Sequence, residues 1–252
     1  MASIISNRQT YNDPGTWNRC GDSWTFHADS CGQDYGVWKR SVVETFLDPY
    51  LGSSVDVLEV GPGFGRWTEF IVARSHSLTL VDVSSTCIEA CQDRFGDDLP
   101  ERAFVVNDGR SLPLTDSSLD LIWSFATFVH IDAPDVDAYL AECYRTLRPG
   151  GHFVIHHAGW GDWSLKLSPV TSLFGRLGYF VQHRILAVGR WSRAGGRAPM
   201  SARRFARMAV DHGFDIDFQG SSWGDQRQFS VSYRDVITVG TKRSASEVSS
   251  PV

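Results

Sequence analysis

At 252 residues, with 42% hydrophobic and 21% charged residues, the chain has the length and composition of one α/β domain with insertions and a substantial core. A formal charge of −5 argues against nucleic acid as a partner, because polyanion binders are basic overall. Five Cys, an odd number with no CxxC spacing, imply buried free thiols rather than a disulfide framework, and the first twenty residues lack the apolar core of a signal peptide. With no apolar run of about 18 residues to span a membrane, the chain reads as a cytoplasmic protein without a transmembrane segment.

Residues 1–54 read as an N-terminal helical, aromatic cap. From residue 55 short apolar runs alternate with helical patterns, the signature of parallel βαβ units. The first strand, 55–60, closes on GPGFG, and a helix follows over 66–75. The second strand is 78–83, and Ser84 or Ser85 caps a helix over 85–95. Strands at 103–108 and 119–126 lead to a helix opening near Pro134, which RPGG stops by offering Gly150 or Gly151 as a left-handed cap. A fifth strand, 152–158, completes the core at 55–158. The rhythm breaks over an insertion at 159–200. It returns at 201–241 with a helix (201–213) and two strands (214–220 and 229–241) close enough for an antiparallel pair, and 242–252 read as a disordered tail.

The most informative segment is VLEVGPGFG. A buried strand ends in Glu59, and glycines follow at 61, 63 and 65, where a ligand can approach a backbone without Cβ atoms and meet the amides of the next helix. The dinucleotide fingerprint GxGxxG would need its third glycine at position 66, which is Arg66, so an NAD-dependent oxidoreductase loses support. Asp82 ends the second strand, placed to hydrogen-bond ribose hydroxyls, and Asp108, in NDG, ends the third. All three acids reach the carboxyl edge of a parallel sheet, where such folds bind ligands.

On EVGPGFG, Asp82, NDG at 107–109, LRPGG and the closing strand pair, the chain resembles the class I S-adenosylmethionine-dependent methyltransferases, over roughly 35–160 and 201–241. The resemblance implies an α/β, Rossmann-like fold with a seven-stranded mixed sheet, an antiparallel last strand and a lid insertion. It implies S-adenosyl-L-methionine as cofactor, with the glycine loop (Glu59, Gly61, Gly63, Phe64, Gly65) under its methionine end. Asp82 and Val83 would sit at its ribose, Asn107, Asp108 and Gly109 at its adenine, and Ser124, Phe125 and Ala126 at its methionine amine. Tyr35 and Trp38 would cover it, although Trp38 reads equally as a core anchor.

A hydroxyl acceptor needs a general base, most often His near neutral pH, whereas an amine can arrive neutral. His130 follows the fourth strand and His156 and His157 end the fifth, so all three are candidate bases; a His there can also simply brace the loop. Asp132 either orients His130 or caps the next helix. Two or three His with Asp132 make a metal site conceivable, but HxH and HExxH spacings are absent and none is assigned. GPGFGRWTEF, FVHID and HHA look similar to bacterial methyltransferases of sugar and secondary-metabolite pathways, implying O-methylation of a small molecule, a sugar or glycosylated natural product. N-methylation of an amine and non-catalytic binding of the cofactor are the alternatives.

Residues 163–210 hold no Asp or Glu but contain Lys166 and Arg at 176, 184, 190, 193, 197, 203, 204 and 207. Three readings stay open: a basic lid for an anionic acceptor or acidic carrier protein, an amphipathic helix on anionic lipid, and a solvated face. A homodimer is a further possibility.

Overall fold

The computed structural model describes residues 4–13, 25–99, 103–159 and 198–244. Helices α1 (Ile4–Tyr11), α2 (Phe26–Ser30) and α3 (Tyr35–Val42) precede the sheet. Asp34 starts α3 by accepting the amides of Gly36 (2.8 Å) and Val37 (3.1 Å), and the helix runs on through a π turn and a 3-10 turn to Tyr50. There follow β1 (Gly52–Val60), α4 (Thr68–Ile71), β2 (Ser75–Asp82), α5 (Ser85–Phe95), β3 (Phe104–Val106), β4 (Leu119–Ser124), α6 (Ala133–Thr146) and β5 (Leu147–Ala158). Beyond the insertion lie α7 (Ala202–Asp211), β6 (Phe214–Gly220), β7 (Ser222–Trp223), β8 (Phe229–Ser230) and β9 (Asp235–Lys242).

The α/β fold expected from the sequence is present. Seven strands lie in the order β3-β2-β1-β4-β5-β9-β6; β1 to β5 pair in parallel, and β9 runs antiparallel to both β5 and β6. Alternate residues of each strand feed opposite layers. Val57, Leu121, Trp123 and Val154 join α3 and Trp38 on one face, while Leu58, Ile122, Phe153 and Ile155 join α6 and α7 on the other. Strand order reverses beside β1, between β2 and β4, and that switch point opens a crevice at the carboxyl ends of the strands.

Four expectations are corrected. The long helix over 66–75 is a single turn, α4, flanked by turns. Gly150 does take the left-handed conformation (φ 80°), but α6 ends before it at Thr146, and RPGG lies in β5 where the pairing shifts register against β4. The last strand is split: Tyr233 and Arg234 turn the chain through left-handed φ values of 59° and 58°, so β8 pairs with β7 in a separate ribbon and only β9 enters the main sheet. Ser84, rather than Ser85, caps α5, accepting the amide of Cys87 at 3.2 Å. Lys242, expected in the tail, ends β9 with its ammonium on the carbonyls of Tyr144 and Leu147. Residues 245–252 of the tail and most of the insertion lie outside the described residues. Cys31, Cys87, Cys91 and Cys143 are free thiols, and no helix among the described residues is long and apolar enough to cross a membrane.

Candidate active site

A cavity of about 410 Å³ occupies the switch point. Its floor is the turn after β1. Gly61 (φ 72°) and Gly63 (φ 59°) are left-handed there, and a Cβ on Gly61 would stand 2.1 Å from Thr127 Oγ1. Thr127 in turn donates to the carbonyl of Gly61 (3.1 Å), while Ser124 donates to that of Val60 (2.8 Å), so the ends of β1 and β4 are clamped together. Gly65 serves packing instead: a Cβ there would meet the Phe95 ring at 2.3 Å.

Of the residues expected at the site, Gly61, Gly63, Phe64, Asp82, Val83, Gly109, Phe125, Ala126 and His130 line the cavity. Burial pushes the Asp82 carboxyl up to about 6, against the pull of the backbone amides of Ser84, Gly63 and Val83. Glu59 does not reach the cavity. It is 1% exposed, accepts the Thr68 hydroxyl at 2.6 Å at the start of α4, and is pushed up to about 8 by burial and, to a lesser degree, by the charge of Asp82. Asp108 is exposed and folds back on its own turn, accepting the amides of Ser111 and Arg110 at 2.7 and 2.8 Å, which hold its carboxyl below the usual range. Asn107 is likewise spent on the turn, donating to Ser111 O and to the Tyr139 hydroxyl. Only the Gly109 corner of NDG faces the cavity.

Three expected contacts are replaced by structural roles. Trp38 is 1% exposed and donates its indole N–H to Ser230 O at 2.9 Å, so it anchors the core rather than covering the cavity. His157 is wholly buried on the α7 side, stacked at 3.7 Å on Phe205 and bonded to Thr238 and the Ala158 carbonyl; burial lowers its pKa to about 3, which leaves it a neutral core residue away from the cavity. His156 lies on the opposite face, also buried, with Nδ1 accepting the amide of Ala126. Asp132 takes the N-cap position of α6 but its side chain makes no cap bond.

A cap from residues 1–54 was expected, but different residues supply the roof. Helix α1 lays Ile4, Asn7 and Tyr11 over the cavity, where Tyr35 and Trp38 were expected. It is tied to the loops beneath: Asn7 donates to His130 O (2.8 Å), Arg8 to Val83 O (3.1 Å) and Asn107 O (3.0 Å), and Ser84 to Tyr11 O (3.1 Å). The Tyr11 ring meets His130 edge-on at 5.9 Å. Trp67 and Arg66 complete the wall beside Phe64. Among the described residues no cluster of three His, Cys, Asp or Glu could hold a metal.

Residues 57–151 match the family described as a methyltransferase domain. The chain is 27% identical over 146 residues to phosphoethanolamine N-methyltransferase 1 of Triticum aestivum, covering 56% of this chain and 29% of that one. It is 34% identical over 102 residues to phthiotriol/phenolphthiotriol dimycocerosates methyltransferase of Mycobacterium leprae, covering 38% and 35%. The chain thus spans about a third of the length of these curated relatives. Magnesium protoporphyrin IX methyltransferase from Synechocystis, solved with bound SAH, superposes with a TM-score of 0.62 at 15% identity, covering 95% of this chain and 99% of that one. The cyclase SpnF superposes at 0.55 and 18% identity, covering 81% and 80%. At these identities the structural likeness is one of fold. The sheet order, the glycine turn at its switch point and the family match agree: residues 57–151 match a methyltransferase domain, set in a fold shared with solved methyltransferases, one of them holding SAH.

Proposed function

We propose that the protein transfers the methyl group of S-adenosylmethionine to a hydroxyl of a small molecule, a sugar or glycosylated natural product, with His130 as general base. The observation that carries this reading is the wall of the cavity, where the glycine turn, the Asp82 carboxylate and His130 converge. In this reading Asp82 accepts the ribose hydroxyls, Val83 and the Gly109 corner border the adenine, and the turn from Gly61 to Gly63 leaves the methionine end a path along bare backbone. The cofactor supplies a carbon already electrophilic, so the chain's own task is alignment of the acceptor and removal of its proton. Of the three candidate bases His130 alone lines the cavity, and Tyr11 above it confines the ring. The mycobacterial relatives, named for a triol, favour oxygen as the acceptor atom.

A second reading, N-methylation of a small-molecule amine, is favoured by the wheat relative's name. An amine that arrives neutral needs no base, so His130→Gln separates the two. A hydroxyl acceptor predicts a fall in kcat of about a hundredfold or more and loss of the acidic limb of the pH profile, whereas an amine predicts a change of a few-fold. The first experiment is calorimetry with S-adenosylmethionine and S-adenosylhomocysteine, followed by transfer of labelled methyl to panels of glycosides and amines. Absence of binding by either ligand to folded protein refutes the assignment. Binding without transfer to any acceptor moves the chain to the non-catalytic class.

A further inference from the structure

The loop after β4 carries a strain that the clamp between β1 and β4 does not explain. Ala126 is left-handed (φ 65°), a conformation costing a residue with a Cβ about 1 kcal/mol or more, and such a residue persists only where its surroundings hold it. Phe125 and Ala126 both line the cavity, so the strained peptide forms part of its wall. What holds it comes from β5. His156 Nδ1 accepts the Ala126 amide at 3.1 Å, and the same imidazole stacks on Phe125 at 4.3 Å with the rings 11° apart. An Nδ1 that accepts leaves the proton of the neutral ring on Nε2. Nε2 faces the buried carboxylate of Asp235, 3.4 Å away on β9, and His27 packs edge-on against the ring from α2.

We propose that His156, oriented by Asp235, is a positioning residue: it fixes the Ala126 peptide and the Phe125 ring so that the cavity wall is already in place when the cofactor binds. His156 touches the wall from behind and lies outside the cavity, so it acts through Phe125 and Ala126. The claim that this wall receives S-adenosylmethionine rests on the function proposed above; the claim that His156 holds the peptide does not.

The test uses the full chain and S-adenosylhomocysteine as probe. His156→Leu removes the acceptor and should weaken binding about tenfold and speed exchange of the Ala126 amide. His156→Asn places an oxygen near the site of Nδ1 and should hold affinity within about threefold of the parent. Asp235→Asn keeps an acceptor opposite Nε2 and should do the same. His157→Leu is the control, because that ring is equally buried one residue away on the other face; it should lower Tm and leave affinity unchanged. Weakened binding in His156→Leu with recovery in His156→Asn supports the proposal. If His156→Leu lowers Tm but leaves both affinity and Ala126 exchange at parent values, the role is structural only and the proposal falls. It also falls if His156→Asn is as weak as His156→Leu. Should His156→Leu fail to fold, the Asn variant and the two Asp235 and His157 variants carry the comparison. If the parent itself binds no S-adenosylhomocysteine, the function reading fails, and Ala126 exchange in the free protein still decides whether His156 holds the loop.

Discussion

Glu59 is a carboxylic acid held in the core, and replacing it with Gln should reshape how stability depends on pH. The side chain is 1% exposed and receives one hydrogen bond, from Thr68, which does not offset the cost of burying its charge. Its folded pKa, raised from 4.5 to about 8, lies above the unfolded one, so the native state binds the proton more tightly. The associated stability is therefore complete below about pH 4.5, declines as pH rises, and is gone above about 8. At about 1.4 kcal/mol per pH unit the ceiling is about 5 kcal/mol, and relaxation around the charge reduces it to a measurable loss on the order of 2–4 kcal/mol. Glu59→Gln stays neutral throughout and still offers Thr68 an oxygen, so it lacks this decline. Asp82 also titrates abnormally, but it is present in both proteins and its contribution largely cancels in the difference. Urea unfolding of parent and variant at pH 4.5, 6, 7 and 8.5 measures the effect. The variant should gain on the parent by a few kcal/mol between pH 4.5 and 8.5. Parallel curves, or a parent that gains on the variant as pH rises, would refute the placement of a protonated Glu59 under the glycine turn.

Asp82 predicts a pH effect on binding: with its carboxyl at about 6 in the free protein, an anionic acceptor for ribose hydroxyls must first lose its proton, so affinity for S-adenosylhomocysteine should fall roughly tenfold per pH unit below 6. Calorimetry over pH 5–8 checks this, and Asp82→Asn should bind weakly at every pH with the dependence gone. Gly61→Ala should abolish measurable binding and lower Tm by several degrees, since it adds left-handed strain of about 1–2 kcal/mol to a collision with Thr127. Pairing it with Thr127→Gly should recover part of the stability by relieving the collision, and full additivity of the two changes would show that they do not meet.

The strands that build the crevice were legible because each is an apolar run bounded by polar turns, and the ends of β1 and β4 fell within a few residues of expectation. The turn at Tyr233 and Arg234 was not, because neither residue type signals a left-handed φ. Within the expected N-terminal cap, the docking of helix α1 on the cavity was not legible, for a different reason. Its sequence, IISNRQTY, presents no apolar face, and it is attached through Asn7, Arg8 and the Tyr11 carbonyl to loops more than seventy residues away. Periodicity reports burial of side chains against a sheet and says little of a helix that docks by polar bonds to backbone. Asp108 illustrates the same limit at the site: its position at a strand end was readable, but the choice between a ligand and its own turn is made by local amides.

The three histidines show what a strand end can and cannot tell. Two adjacent residues on β5 must point to opposite faces, so a pair of imidazoles closing the strand could never both reach one ligand. His157 falls to the α7 layer, where a stack on Phe205 and a bond to Thr238 satisfy it. His156 falls to the α3 layer, beneath the loop that β4 sends over the cavity. The parity was present in the sequence, and it already limited β5 to one candidate; which of the two it was depended on register with β9, where His156 pairs with Ile237 and Ala158 with Asp235. That register also brings the Asp235 carboxylate to Nε2. A catalytic base needs a proton-accepting nitrogen open to the acceptor, and on His156 the accepting nitrogen is occupied by a backbone amide. In the function proposed above the base is therefore His130, the candidate that lines the cavity, and the imidazole on β5 contributes by keeping Ala126 where the wall requires it.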